Sequence, residues 1–362
     1  MNKRENNWDI EELIRIYRLG IENDASLGNE PNIIQKLKVL TFLSVTLFFS
    51  TYKPIDAIEM GWINGHRGYE KYFRGEKLYR VFHGTYFKNI SNIRTYPSVF
   101  SFMCLRDRIK TVKEGVRMYT RRGISVGNFA LWMEFFTLYS LIKKSGVRTL
   151  STTGICDRHT TWQSHIMHLI NGKFIIKQHG LVIGGGPNKL FCSKVYAYNN
   201  LEIEAFKDII VANEDCIYET MEYVSVIDFS QVGEIGKFKV GIIAQRNPDE
   251  IKQWIKEINA LGVCPIYFLM LHPTDKKRMY KNVLRMKNVY NTKRKRYVDM
   301  DLIITVDSTA LYDYIYQGYS GKILRIDSSN RPIMTPEGYF GEVKCVEEVS
   351  GIRPVLIDWI KN

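Results

Sequence analysis

The chain of 362 residues predicts an α/β fold of two Rossmann-like domains, and three observations carry that prediction. Short apolar runs rich in β-branched residues alternate with segments of helical period, which implies parallel strands joined by right-handed crossovers. The alternation restarts after Ser230–Gly236 as a second complete nucleotide-fold half. Polar residues repeatedly stand just after the apolar runs, at the carboxyl ends of the expected strands, where open α/β sheets bind ligands.

Composition bounds the answer. A hydrophobic content of 45% is ordinary for a globular protein and too high for a disordered one. Lys and Arg number 51 against 38 Asp and Glu, a formal charge of +13, which favours anionic partners: phosphorylated substrates, acidic lipid surfaces or nucleic acid. Six scattered cysteines form no Cys-x-x-Cys pair, so neither a zinc site nor a disulfide framework is signalled, and a reducing cytosol fits best. The N-terminus is polar and lacks the apolar core of a signal peptide. Val39–Phe49, the most apolar run, is about half of what a bilayer span requires and reads as a buried helix. No helix-turn-helix signature, zinc knuckle or RNA-recognition motif is present, so nucleic acid is not the expected partner.

In chain order, residues 9–52 read as helical, with Pro31 harmless near the start of the second helix. Glycines interrupt residues 53–124, where Leu78–Phe82 is a candidate strand. Asn128–Lys144 is a helix with Phe129, Trp132, Met133 and Phe136 mostly on one side and lysines at its negative end. Val147–Thr153, Thr160–Ile170 and Lys173–Lys177 then form a β-α-β unit, whose loop holds Asp157-Arg158-His159 and which closes with Gln178-His179-Gly180. Gly184–Pro187 reads as a turn, because no Lys-Ser/Thr pair follows it. Leu190–Ala197 reads as a strand, Asn200–Ile210 as a helix and Val224–Asp228 as a strand.

The second half places strands at Phe238–Gln245, Cys264–Leu271, Val289–Tyr290, Leu302–Thr305 and Ile323–Ile326, with helices at Pro248–Leu261 and Asp275–Met286. The expected domains are residues 1–230 with a helical N-terminal segment, 237–350, and a last helix within 351–362 free to pack back on the first domain.

Asp301–Ala310 is the stretch around which the rest is arranged: a buried strand, then the polar turn Asp307-Ser308-Thr309, then a helix stopping at Gly318. Such a turn suits a phosphate, although its hydroxyls can equally do no more than cap the helix. Cys264–Leu271 ends in His272-Pro273 in the same way, and Gln245, with Arg246, ends the strand Phe238–Gln245. Separate donors converging from several strand ends are what a nucleotide phosphate needs. Lys293–Arg296 is a run of positive charge that reads first as a solvated face and second as a contact for anionic lipid or polymer.

His179-Gly180, His272-Pro273 and Ser308-Thr-Ala-Leu-Tyr-Asp313 together resemble motifs of bacterial surface-polysaccharide glycosyltransferases of GT-B architecture. One branch is the sialyl- and Kdo-transferases, which use CMP-sugars; the other is the CDP-glycerol glycerophosphotransferases, whose order His-Gly, His-Pro, Ser-Ser-x-x-Phe-Asp is matched here by His179-Gly180, His272-Pro273 and Ser308-Thr-Ala-Leu-Tyr-Asp313. The resemblance covers about residues 147–327 and is confined to these motifs. Val306-Asp307 stands where the glycerophosphotransferases have Asp-Tyr before their serines, and the acidic-acidic-glycine motif of several sialyltransferases is missing.

The resemblance implies two domains facing a central cleft, a nucleotide-activated donor with CMP-sugar favoured, and a growing glycan or lipid-linked glycan as acceptor. It implies inverting transfer without metal or other cofactor, in the cytoplasm or at the inner face of the plasma membrane. Donor binding then falls to Gln245, Arg246, His272, Pro273, Asp307, Ser308 and Thr309, and the acceptor base to Asp157 or His179, with His159 a weaker choice. Asp157 is equally placed to cap the helix after it, and His179 to bond a loop carbonyl. Two other classes stay open: a CDP-polyol phosphotransferase of teichoic-acid type, and a non-enzymatic protein that binds anionic polymer or membrane.

Overall fold

The computed structural model describes residues 10–23, 57–61, 78–82, 95–96, 104–121, 129–145, 147–153, 157–178, 188–221, 238–244, 247–271, 277–292, 300–305, 310–316, 318–326, 342–346 and 351–361. The chain divides into two compact units, Met1–Met221 and Glu222–Asn362. Val39–Phe49, Gly184–Pro187, Val224–Asp228 and Lys293–Arg296 lie outside the described residues.

The first unit opens with helix α1 (Ile10–Asn23), which buries Leu13, Ile14, Ile16 and Tyr17 on one face. Strands β1 (Ala57–Gly61), β2 (Leu78–Phe82) and β3 (Thr95–Tyr96) follow, then helices α2 (Leu105–Arg121) and α3 (Phe129–Ser145). The β-α-β unit expected from residue 147 onward is present as β4 (Thr149–Thr152), α4 (Arg158–Leu169) and β5 (Lys173–Lys177). Strand β6 (Lys194–Ala197), helix α5 (Asn200–Ala205) and strand β7 (Ile217–Thr220) are the last elements among its described residues. Every pairing in the seven-stranded sheet is parallel, in the order β3-β2-β1-β4-β5-β6-β7.

Local differences from the sequence reading have physical causes. The strand expected over Leu190–Ala197 is shorter, because Leu190 instead bridges Val211: Leu190 N–H donates to Ile210 O and Ala212 N–H to Leu190 O, both at 2.8 Å. Asn200–Ile210 is a helix that widens to π geometry at Phe206–Ile210, ending with Val211 N–H donating to Phe206 O.

The second unit holds β8 (Lys239–Ala244), α6 (Pro248–Asn259), β9 (Ile266–Leu271), β10 (Val289–Asn291), β11 (Leu302–Thr305), α7 (Ala310–Ile315), β12 (Lys322–Ile326), β13 (Val343–Val346) and α8 (Ile352–Lys361). Its six-stranded sheet runs β10-β9-β8-β11-β12-β13, all parallel. Relabelled within the unit this is the order 3-2-1-4-5-6, the doubly wound nucleotide-binding arrangement.

Both faces of that sheet are covered. Val240, Ile242 and Ile304 pack with Trp254, Ile255 and Ile258 of α6 on one side, and Ile243 and Ile303 pack with Leu311 and Tyr314 of α7 on the other. The terminal helix seats Ile352, Leu356 and Trp359 in the α6-side core.

The helix expected at Asp275–Met286 is instead two short 3₁₀ turns, Lys277–Tyr280 and Val283–Arg285. Tyr280 and Val283, the buried side chains there, come one from each turn, and both enter the α6-side core.

Candidate functional site

In the second unit the register brings three strand ends side by side. Ala244 of β8 is paired with Leu271 of β9, while Ile304 of β11 lies beside Ile242 of β8. The chain then runs directly from Ala244 into Gln245-Arg246, from Leu271 into His272-Pro273, and from Thr305 into Val306-Asp307-Ser308-Thr309. All of the expected donor residues, Gln245, Arg246, His272, Pro273, Asp307, Ser308 and Thr309, lie outside the described residues. What the structure fixes is the set of strand ends that carry them.

Those ends flank the topological switch point, since β8 is the first strand and β11 the fourth, and the sheet grows outward in both directions from them. Helix α6 begins at this edge, with Asn247 as N-cap, its side-chain oxygen accepting from Asp249 N–H at 3.1 Å, and with Pro248 in the first turn. Thr305, fully buried at the end of β11, has a hydroxyl without a hydrogen-bond partner. An orphaned hydroxyl at that depth costs stability unless something polar meets it. Asp301 belongs to the opposite edge, where its Oδ2 accepts from Lys239 N–H at 2.7 Å.

In the first unit β4 and β5 are adjacent, Thr152 opposite Ile176, and their carboxyl ends carry an unusually polar buried layer. Ser151, Thr152, Thr153, Thr160, Lys177 and Gln178 are each more than nine-tenths buried. Gln178 pins the end of β5 to β6: its N–H donates to Tyr196 O at 2.9 Å, and its side-chain Oε1 accepts from Tyr198 N–H at 2.8 Å. His179, the next residue, lies outside the described residues. The hydroxyls of Ser151 and Thr160 have no hydrogen-bond partner, so this layer has unused polar capacity for water or ligand.

Asp157 is the N-cap of α4, with Oδ1 accepting from Thr160 N–H at 2.8 Å. The capping reading therefore holds for one carboxylate oxygen. The two residues after it meet Glu134 of α3: Arg158 Nη2 at 3.4 Å from Oε2, and His159 Nε2 at 3.4 Å from Oε1. Glu134 was missed by sequence reasoning, because it sits in a helix that reads as core packing and no local spacing links it to residues 158–159.

His165 and His168 are at the other end of α4. His165 packs edge-on to Phe191 with ring centroids 5.2 Å apart, and burial, with the neighbouring charges of Arg15 and His168, pushes its imidazole down to about 4. His168 stacks on the same ring at 3.9 Å.

No family model matches the chain, and no curated protein sequence matches it. Among solved structures it is similar to HepE of Anabaena in complex with UDP and glucose, at 10% identity and a TM-score of 0.44, covering 85% of this chain and 90% of that one. It is similar to MurG of Acinetobacter baumannii at 10% identity and a TM-score of 0.42, covering 84% and 90%. The wall teichoic acid polymerase TagF with CDPG is similar at 11% identity and a TM-score of 0.39, covering 96% and 89%. At these values no residue correspondence follows and none is drawn. The chain is an α/β protein of two Rossmann-like units. That statement rests on its own strand order.

Proposed function

We propose that the chain is a GT-B glycosyltransferase that moves a sugar from a nucleotide-activated donor, with CMP-sugar favoured, to a growing surface glycan. One observation carries this reading: the ends of β9, β8 and β11 stand next to one another across the switch point of a 3-2-1-4-5-6 sheet. The motif residues His272, Gln245-Arg246 and Ser308-Thr309 follow those ends within a few residues. Neighbouring strands are about 5 Å apart, so donors attached to three consecutive ends are close enough to share one phosphate.

In this reading the imidazole of His272, the hydroxyls of Ser308 and Thr309 and the guanidinium of Arg246 hold the departing nucleotide phosphate and stabilise the charge it gains. The acceptor hydroxyl loses its proton to Asp157 or His179, which follow adjacent strands of the first unit. Residues 1–230 form the acceptor side and 237–350 the donor side. The acceptor is a capsule, O-antigen or lipid-linked glycan, and the protein works without metal at the inner face of the membrane.

A second reading on the same cradle is CDP-polyol phosphotransfer, favoured by the run Ser308-Thr-Ala-Leu-Tyr-Asp313, in which Asp313 is buried in α7. Thermal-shift titration with CMP, CDP, UDP and GDP tests both. Stabilisation by CMP that His272→Ala abolishes supports the CMP-sugar reading. A response to CDP alone moves the assignment to polyol phosphate, and to UDP or GDP to a hexose donor. No response to any of the four rejects the transferase.

A further inference from the structure

Helix α2 turns an apolar stripe to solvent. Leu105 is 51% exposed, Ile109 41% and Val116 37%, and at about 100° per residue they fall within about 40° of one another around the axis. Single exposed aliphatics are unremarkable, but several aligned along one face mark a contact surface. The other face of α2 is already used: Arg108, Thr111 and Gly115 are buried, Gly115 O accepts from Trp132 Nε1–H at 2.9 Å, and Tyr119 meets Phe129 edge-on at 4.8 Å.

Charge completes the pattern. Arg106, Lys110, Lys113 and Arg117 are all exposed and form a second stripe directly beside the apolar one, while Asp107 and Glu114 lie beyond the bases. A helix with an aliphatic stripe bordered by Lys and Arg is built for the boundary between lipid headgroups and acyl chains.

We propose that α2 is a membrane-surface helix that docks the protein on an anionic lipid bilayer, with Leu105, Ile109 and Val116 entering the acyl boundary and the four bases meeting headgroup phosphates. This deepens the transferase reading by giving the surface on which a lipid-linked acceptor would be met, yet it stands on α2 alone. The other occupants fit less well. An isologous contact with a second copy would set the same bases against each other. A nucleic acid or soluble polyanion would use the bases and leave the aliphatic stripe in water.

The test is flotation of the full chain with phosphatidylcholine vesicles, with and without phosphatidylglycerol, in the absence of nucleotide or acceptor. Wild-type protein is expected to float only with the anionic vesicles. Arg106→Glu with Lys113→Glu and Arg117→Glu should weaken binding by more than about two orders of magnitude, since loss of each positive charge alone costs about fivefold and each reversal adds repulsion. Leu105→Ser with Ile109→Ser and Val116→Ser should weaken it with the charges intact, an unchanged melting curve showing that the variant is folded. Reversal of Lys277, Arg278 and Lys281, exposed bases of the second unit, changes net charge equally and should leave flotation unchanged. Three results overturn the proposal: no flotation of wild type, equal loss in the second-unit variant, or a solution dimer that the serine variant dissolves. Because no nucleotide is present, failure here leaves the donor reading intact, and failure of nucleotide binding leaves this one intact.

Discussion

His159 Nε2 lies 3.4 Å from Glu134 Oε1, and the other oxygen of the same carboxylate is 3.4 Å from Arg158 Nη2, so one residue of α3 anchors the first turn of α4. The positive end of α4 favours a carboxylate there as well. All three side chains are at least four-fifths buried. Glu134→Ala should therefore remove the acceptor that Arg158 and His159 share and cost about 1–3 kcal/mol, read as a lower melting temperature of the first unit by calorimetry. Glu134→Gln, which keeps an acceptor, should cost less. Equal melting of the Ala variant and wild type would show the anchor to be inert.

Asp157 has two roles to separate. Asp157→Ala removes the cap of α4 and should destabilise the first unit by about 1 kcal/mol, whereas Asn keeps an acceptor oxygen and should not. A base, however, needs the carboxylate. If Asp157 takes the acceptor proton, Asp157→Asn lowers kcat by about 10²–10⁴-fold with melting unchanged. Full turnover in that variant removes Asp157 from the candidates and leaves His179, with His159 the weaker choice.

Stability should depend on pH through His165. Its imidazole is held at about 4 against an ordinary 6.5, chiefly by burial and then by Arg15 and His168, with Glu12 opposing. The unfolded chain therefore takes up the proton first. The contribution is complete above about pH 6.5 and is lost as pH falls toward 4, amounting to on the order of 1–3 kcal/mol. His165→Leu removes both the titration and a buried Nε2 without a partner. Urea unfolding of the first unit at pH 7 and pH 5 should show a smaller difference in the variant. An equal difference would place the acid sensitivity elsewhere.

The strands that build the second sheet were legible because a parallel sheet buries both faces: Leu302–Thr305 is buried throughout and reads as a mostly apolar run. The same logic hid β7, an edge strand with Ile217, Glu219 and Thr220 exposed and little apolar pattern to find. Helix α2 was lost among glycines, one of which, Gly115, in fact lets α2 and α3 approach closely: an added Cβ there would meet Met133 Sδ and Phe136 Cδ1 at 3.0 Å. The polar strand ends were readable one by one, but which of them are neighbours is set by strand order, and no local spacing encodes that order. Glu134 illustrates the same limit, since its partners lie more than twenty residues along the chain.

Gly20 of α1 is where ordinary helix propensity should fail. In an exposed helix Gly→Ala stabilises by about 1 kcal/mol, but a Cβ on Gly20 would fall inside the indole of Trp162. That ring cannot easily retreat. Its Nε1–H donates to Tyr17 O at 3.0 Å, it stacks on Tyr17 at 5.9 Å, and Phe135 meets it edge-on at 5.4 Å. Asn23, one turn further on, donates through Nδ2 to Thr161 Oγ1 at 2.8 Å, so α1 cannot lift away from α4 without losing a buried hydrogen bond. Gly20→Ala should thus cost about 1–3 kcal/mol, the usual penalty for overpacking, and lower the melting temperature of the first unit. A higher melting temperature would mean that α1 and α4 do not pack this closely.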